Sequence, residues 1–105
     1  MTETYVTLVS VPDAARGERI ARALVDRRHA ACVQILPAMT SYYVWEGKSM
    51  QAAELLMLIK STAERLADIE ATVKELHDYE VPEIVHLRIA GGYPPYLAWV
   101  AAGSA

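Results

Sequence analysis

Residues 4–11, TYVTLVSV, are dominated by β-branched side chains. Two heavy atoms on Cβ restrict χ1 and suit a pleated surface, so this run predicts a first strand. From Pro12 the period changes. Pro12 and Asp13 suit a helix start, and Ile20, Ala21, Leu24 and Val25 make an apolar face at helical spacing, with Gly17 a weak point in that stretch. AACVQILP (30–37) predicts a second strand halted by Pro37. TSYYVWEGKSM continues as an extended segment ending in the turn EGKS, and AELLMLIKS (53–61) returns as a third strand, antiparallel to the second.

Ser61 and Glu64 have the spacing of a capping box. The helix they would open carries Leu66, Ile69, Val73 and Leu76 on one stripe and ends near His77, with Pro82 just beyond. EIVHLRIA (83–90) alternates, with Val85, Leu87 and Ile89 on one face and His86 and Arg88 on the other, which predicts a half-buried strand. After the turn GGY, PPYLAWVAA predicts a short C-terminal helix with proline in its first turn.

The resulting order, β-α-β-β-α-β-α, predicts an α+β fold. Four strands backed by two helices on one face make the split βαβ, or ferredoxin-like, sandwich, here as a single domain over residues 1–105. The second and third strands are long and carry Tyr42, Tyr43 and Trp45 near their shared turn. A long aromatic hairpin invites pairing with another copy of the chain. Apolar residues make up 53% of only 105 positions, which is rich for so small a core and points the same way.

A net charge of −3 argues against a nucleic-acid partner, which wants a basic surface. The one cysteine, Cys32, rules out an internal disulfide and any CxxC zinc or redox motif. The N-terminus lacks a basic and apolar leader pattern, and no run of about 18 apolar residues occurs, so the expectation is a cytoplasmic protein without a membrane partner.

Candidate chemistry gathers in HDYEVPEIVH (77–86). His77 in a helix's last turn reads first as a solvated helix end beside Lys74, and Glu80 and Glu83 as a solvated rim, Glu83 being placed to cap loop N–H groups. A metal needs several ligands converging at about 2 Å, and neither His86 nor Cys32 can be aligned with His77 from sequence. Cys32, in the apolar run ACVQI, reads as a small core side chain. Lys60, Trp45 and Glu46 are further groups able to line a pocket. No P-loop, dinucleotide, zincin or nucleophile-elbow motif is present.

Four segments then stand in a familiar order: AACVQILP (30–37), SYYVWEGK (41–48), LLMLIKS (55–61) and LHDYEVPEI (76–84), followed by the tail GGYPPYLAWV (91–100). Together they resemble the CutA family of divalent-cation tolerance proteins along nearly the whole chain. The resemblance implies the ferredoxin-like fold, a tight homotrimer of PII-like form in which sheets join edge to edge, and a role in tolerance of copper and other divalent cations. It requires no cofactor. Members to which copper binding is attributed resemble each other in a cysteine late in the first strand and two adjacent histidines. Here those positions are Val9 and Leu76–His77, His-Pro-Tyr is His77-Asp78-Tyr79, and the usual Asn after Cys-Val is Gln34. Only His77 remains as the metal residue, so copper or another divalent cation would be held weakly or with ligands from two subunits.

The favoured expectation is therefore a non-enzymatic trimer responding to divalent metal. Its inter-subunit cleft would draw on Cys32, Gln34, Tyr43, Trp45, Lys60, Tyr79 and Glu83. The alternative is a PII-like small-molecule sensor binding a ligand between subunits. An enzyme is a third class: an acylphosphatase-type site needs Asn, which the chain lacks, and a Cys32/His77 hydrolase needs those two side chains in contact.

Overall fold

The structure, a computed structural model, describes residues 2–105. β1 (Thr4–Val11) leads into α1 (Ala14–Asp26). β2 (Cys32–Trp45) and β3 (Lys48–Thr62) form the long hairpin. A 3-10 turn (Ala63–Arg65) enters α2 (Leu66–Leu76), and β4 (Ile84–Arg88) and α3 (Pro94–Gly103) complete the fold. The strands make one antiparallel sheet in the order β2-β3-β1-β4, the order of the split βαβ sandwich.

β1 is central because it is apolar on both sides of the pleat. Thr7, Val9 and Val11 face α1 and α2, and Val9 lies opposite Met57 on β3 and Ile84 on β4. Ile20, Leu24, Ile69 and Val73 from the two helices close this core with Met57 and Ile59. Asp13 starts α1 by accepting the Arg16 N–H at 2.7 Å. Gly17 sits where α1 approaches the sheet, and a Cβ there would lie 3.2 Å from Val11 Cγ2, so glycine permits the close packing. The hairpin tip takes Glu46 at φ 51° and Gly47 at φ 78°, the two left-handed positions of a type I′ turn.

Three expectations are corrected. Pro37 does not halt β2. Leu36 pairs with Leu56 and Met39 with Glu54, so β2 advances three residues while β3 advances two. The extra residue makes a β-bulge, and β2 is an edge strand, where a residue without an N–H is tolerated. Ser61 is not a capping residue either. It is buried in β3, its hydroxyl donates to the Thr62 carbonyl at 3.0 Å, and the chain turns into α2 through the 3-10 segment. On β4 the burial is the reverse of the hydrophobic alternation. His86 faces the helices, its Nε2 2.6 Å from Glu70 Oε2 on α2 and its Nδ1 2.8 Å from Thr7 Oγ1. Val85 and Leu87 are 43% and 46% exposed.

Those two residues belong to the other face of the sheet, shared with Val6, Leu8 and Leu58 by direct register. No helix covers most of it. α3 reaches one end, where the Tyr96 ring lies 5.4 Å from Lys60 Nζ.

Candidate functional site

β1 ends at Val11, opposite Leu55, and the β2–β3 hairpin continues beyond it as a two-stranded arm. The loop from α2 to β4 packs against the base of that arm. Three successive residues of this loop are tied to three different elements. His77, at the end of α2, donates from Nε2 to the Ser10 carbonyl of β1 at 2.7 Å, and its Nδ1 accepts the Tyr79 N–H at 3.1 Å. Asp78 forms an ion pair with Arg16 of α1, whose other guanidinium nitrogen donates to the Leu76 carbonyl at 2.7 Å. Tyr79 donates its hydroxyl to Glu54 Oε2 of β3 at 2.8 Å.

Between loop and arm lies a cleft of about 560 Å³. Ser10 and Glu54 are its most buried lining residues, 4% and 6% exposed. Tyr42, Tyr43 and Trp45 of the arm and Tyr79, Glu80, Val81 and Glu83 of the loop complete it with Ser41. The bulge at residues 37–38 sets which arm aromatics share a pleat side with Glu54. Past it, Ser41, Tyr43 and Trp45 share a pleat side with Met39 and its partner Glu54. Without the extra residue Tyr42 and Val44 would take that side.

The cleft is electronegative: three carboxylates line it, and no Lys, Arg or His does. Burial pushes the Tyr79 hydroxyl pKa well above the ordinary tyrosine value, and the hydrogen bond and charge of Glu54 add to the shift. The phenol therefore stays protonated and remains a donor to Glu54.

Of the seven residues expected in one cleft, Tyr43, Trp45, Tyr79 and Glu83 meet here. Cys32, Gln34 and Lys60 form a separate group. Lys60 Nζ donates to Gln34 Oε1 at 2.7 Å, and Cys32 stands opposite Lys60 in the register. From Glu54 to Lys60 is six positions along β3, roughly 20 Å at strand rise. Within one chain these are two sites, not one.

His77 is 9% exposed, so it is not a solvated helix end. Both ring nitrogens are engaged by backbone groups, and a metal at His77 would have to displace one of them. Among the described residues no three His, Cys, Asp or Glu side chains converge as metal ligands. Cys32 and His77 form no hydrogen bond with each other. Glu83 makes no loop-capping bond among the described residues. Glu54 and Ser10 escaped the sequence reading. Glu54 is a lone carboxylate heading the apolar run LLMLI, which was a usable signal, whereas Ser10 offers none.

A four-stranded antiparallel sheet with two helices on one face and a cleft at the root of a long hairpin defines a ferredoxin-like domain of the α+β class. The chain belongs to a narrower group: the profile of the CutA1 divalent ion tolerance protein family matches residues 5–103. It is 46% identical over 95 residues to the divalent-cation tolerance protein CutA of Thermus thermophilus, covering 90% of this chain and 92% of that one. It is 41% identical over 100 residues to a CutA homolog of Xenopus laevis, covering 95% of this chain but 64% of the longer relative. The solved structure of the Thermus thermophilus protein superposes with a TM-score of 0.95 at 43% identity, over 97% of this chain and 99% of that one.

Proposed function

We propose that this chain serves divalent-cation tolerance as a homotrimer that works by binding and not by turnover. The carrying observation is the apolar sheet face turned away from α1 and α2, with Val6, Leu8, Leu58, Val85 and Leu87 in register, the first three half-buried and Val85 and Leu87 exposed. A two-layer domain leaves such a face open only if something else covers it, and copies of the same sheet fit it. The outer edges of β4 and β2 are available for strand pairing between copies. Copper or another divalent cation would bind weakly, with ligands drawn from two subunits, because no three ligand side chains converge among the described residues of one chain.

Sedimentation equilibrium of the native chain and of Leu87→Glu tests the assembly. A trimer that the substitution dissociates supports the reading; a native monomer at micromolar concentration overturns it. Calorimetry with Cu(II) at neutral pH, on the native chain and on His77→Ala, tests the metal part. Weak saturable binding that the substitution lowers supports a role for His77, unchanged binding removes that role, and no binding removes direct metal capture.

A further inference from the structure

We propose that the cleft between the hairpin arm and the α2–β4 loop is a binding site for a primary organic ammonium ion. Two polar side chains at its base are more than nine-tenths buried and present free valences. Glu54 uses Oε2 for the Tyr79 hydroxyl, and its Oε1 takes no hydrogen bond among the described residues. The Ser10 hydroxyl, buried beside it, likewise makes none. No buried side-chain nitrogen or oxygen shut off from solvent is left unsatisfied among the described residues, so both free atoms open to the cleft. A buried carboxylate with an open oxygen next to a free hydroxyl calls for a ligand with several N–H donors.

The walls fit the rest of such a ligand. Tyr43 and Trp45 stand on the same pleat side of the arm as Glu54. Their rings give apolar surface for an alkyl chain and a negative π face for a cation. Glu80 and Glu83, both exposed at the rim, would attract a second ammonium on a longer ligand. An anion finds no positive group here. A bare divalent ion finds one deep carboxylate where it needs several converging oxygens. Every group belongs to one chain but lies on the sheet face and arm where copies would meet, so the inference rests on the proposed assembly leaving this cleft open. Sedimentation equilibrium of the native chain separates failure of the assembly from absence of diamine binding.

Calorimetry and Trp45 fluorescence (in a Trp99→Phe background) with 1,4-diaminobutane test it, with tetramethylammonium and glutarate as controls. The expected result is saturable diamine binding, at least tenfold weaker in Glu54→Gln and in Trp45→Leu, with several-fold weaker binding in Ser10→Ala. Tetramethylammonium, which has the charge but no N–H, and glutarate, which has the opposite charge, should not compete. Trp45 is exposed on the arm, so its variant folds even if Glu54→Gln does not. Absence of diamine binding overturns the proposal. So does equal binding of tetramethylammonium, or full affinity in both Glu54→Gln and Trp45→Leu, either of which would reveal only diffuse attraction of cations.

Discussion

His77 Nε2 lies 2.7 Å from the carbonyl oxygen of Ser10, so the end of α2 is fastened to the last turn of the pleat in β1. With Nδ1 accepting the Tyr79 N–H, the imidazole carries its proton on Nε2 and satisfies one backbone acceptor and one backbone donor at once. His77→Ala should cost about 1–3 kcal/mol, because it leaves a buried carbonyl without a partner. Urea denaturation of the variant beside the native chain reads that loss directly.

The Tyr79–Glu54 pair should make stability fall at alkaline pH. Tyr79 has its folded-state pKa raised above the unfolded value of about 10, by burial first and Glu54 second. A raised pKa means that the folded state holds the proton more tightly. Its stabilising contribution is complete below about pH 10 and is lost as pH rises through the higher folded-state value. Denaturation midpoints measured from pH 8 to pH 11 should fall less in Tyr79→Phe than in the native chain. Parallel curves would mean that Tyr79 is not the group responsible.

Arg16 should matter more than its partner Asp78. The ion pair is half open to water on the Asp78 side, where such pairs are worth about 0–1 kcal/mol. The bond from Arg16 to the Leu76 carbonyl instead satisfies one of the free acceptors at the end of α2 and is partly buried. Asp78→Asn should therefore cost under about 1 kcal/mol, and Arg16→Ala about 1–3 kcal/mol. Thermal or urea unfolding of the two single variants would separate them, and equal losses would show that the ion pair carries the effect.

Gly103 and Gly91 should respond oppositely to the same change. At Gly103, near the end of α3, a Cβ would lie 2.8 Å from Ala31 Cβ and 3.3 Å from its Cα, so α3 must shift. Gly103→Ala should cost about 1–3 kcal/mol through overpacking. At Gly91 nothing lies within 4 Å of the added atom, and Gly91→Ala should stay within about 0.5 kcal/mol of the native chain. Melting temperatures of the two variants check the contrast.

The elements were legible where short-range forces set them. The β-branched run 4–11, the Leu66–Leu76 stripe and the turn after Trp45 carry their own periodicity or turn chemistry, and all three form where expected. Pro37 misled because its meaning depends on strand position: it would end a central strand, but β2 is an edge. Ser61 and Glu64 misled because β3 runs on past Ser61 to pair with Tyr5 and Thr4 of β1, and that pairing outweighs a local cap. The candidate site was half legible. Tyr43, Trp45, Tyr79 and Glu83 were singled out and do meet, while Cys32, Gln34 and Lys60 lie farther along β3 in the same chain, where only a second subunit could bring the two groups together.

Composition and pattern thus sufficed for the α+β class and the order of elements, because hydrophobic period, β-branching and turn residues act over a few positions and need no partner; the family came from the resemblance of whole segments. Composition and pattern could not say which face of β4 the helices would cover, nor that one surplus residue beside Pro37 would turn Tyr43 and Trp45 toward Glu54. A pleat has period two, so each of those outcomes hangs on long-range register, and a shift of one residue exchanges every side chain between the faces. The Glu54–Tyr79 bond joins residues 25 positions apart, and it exists only once β3 and the α2–β4 loop have been brought together by the packing of α2 on the sheet.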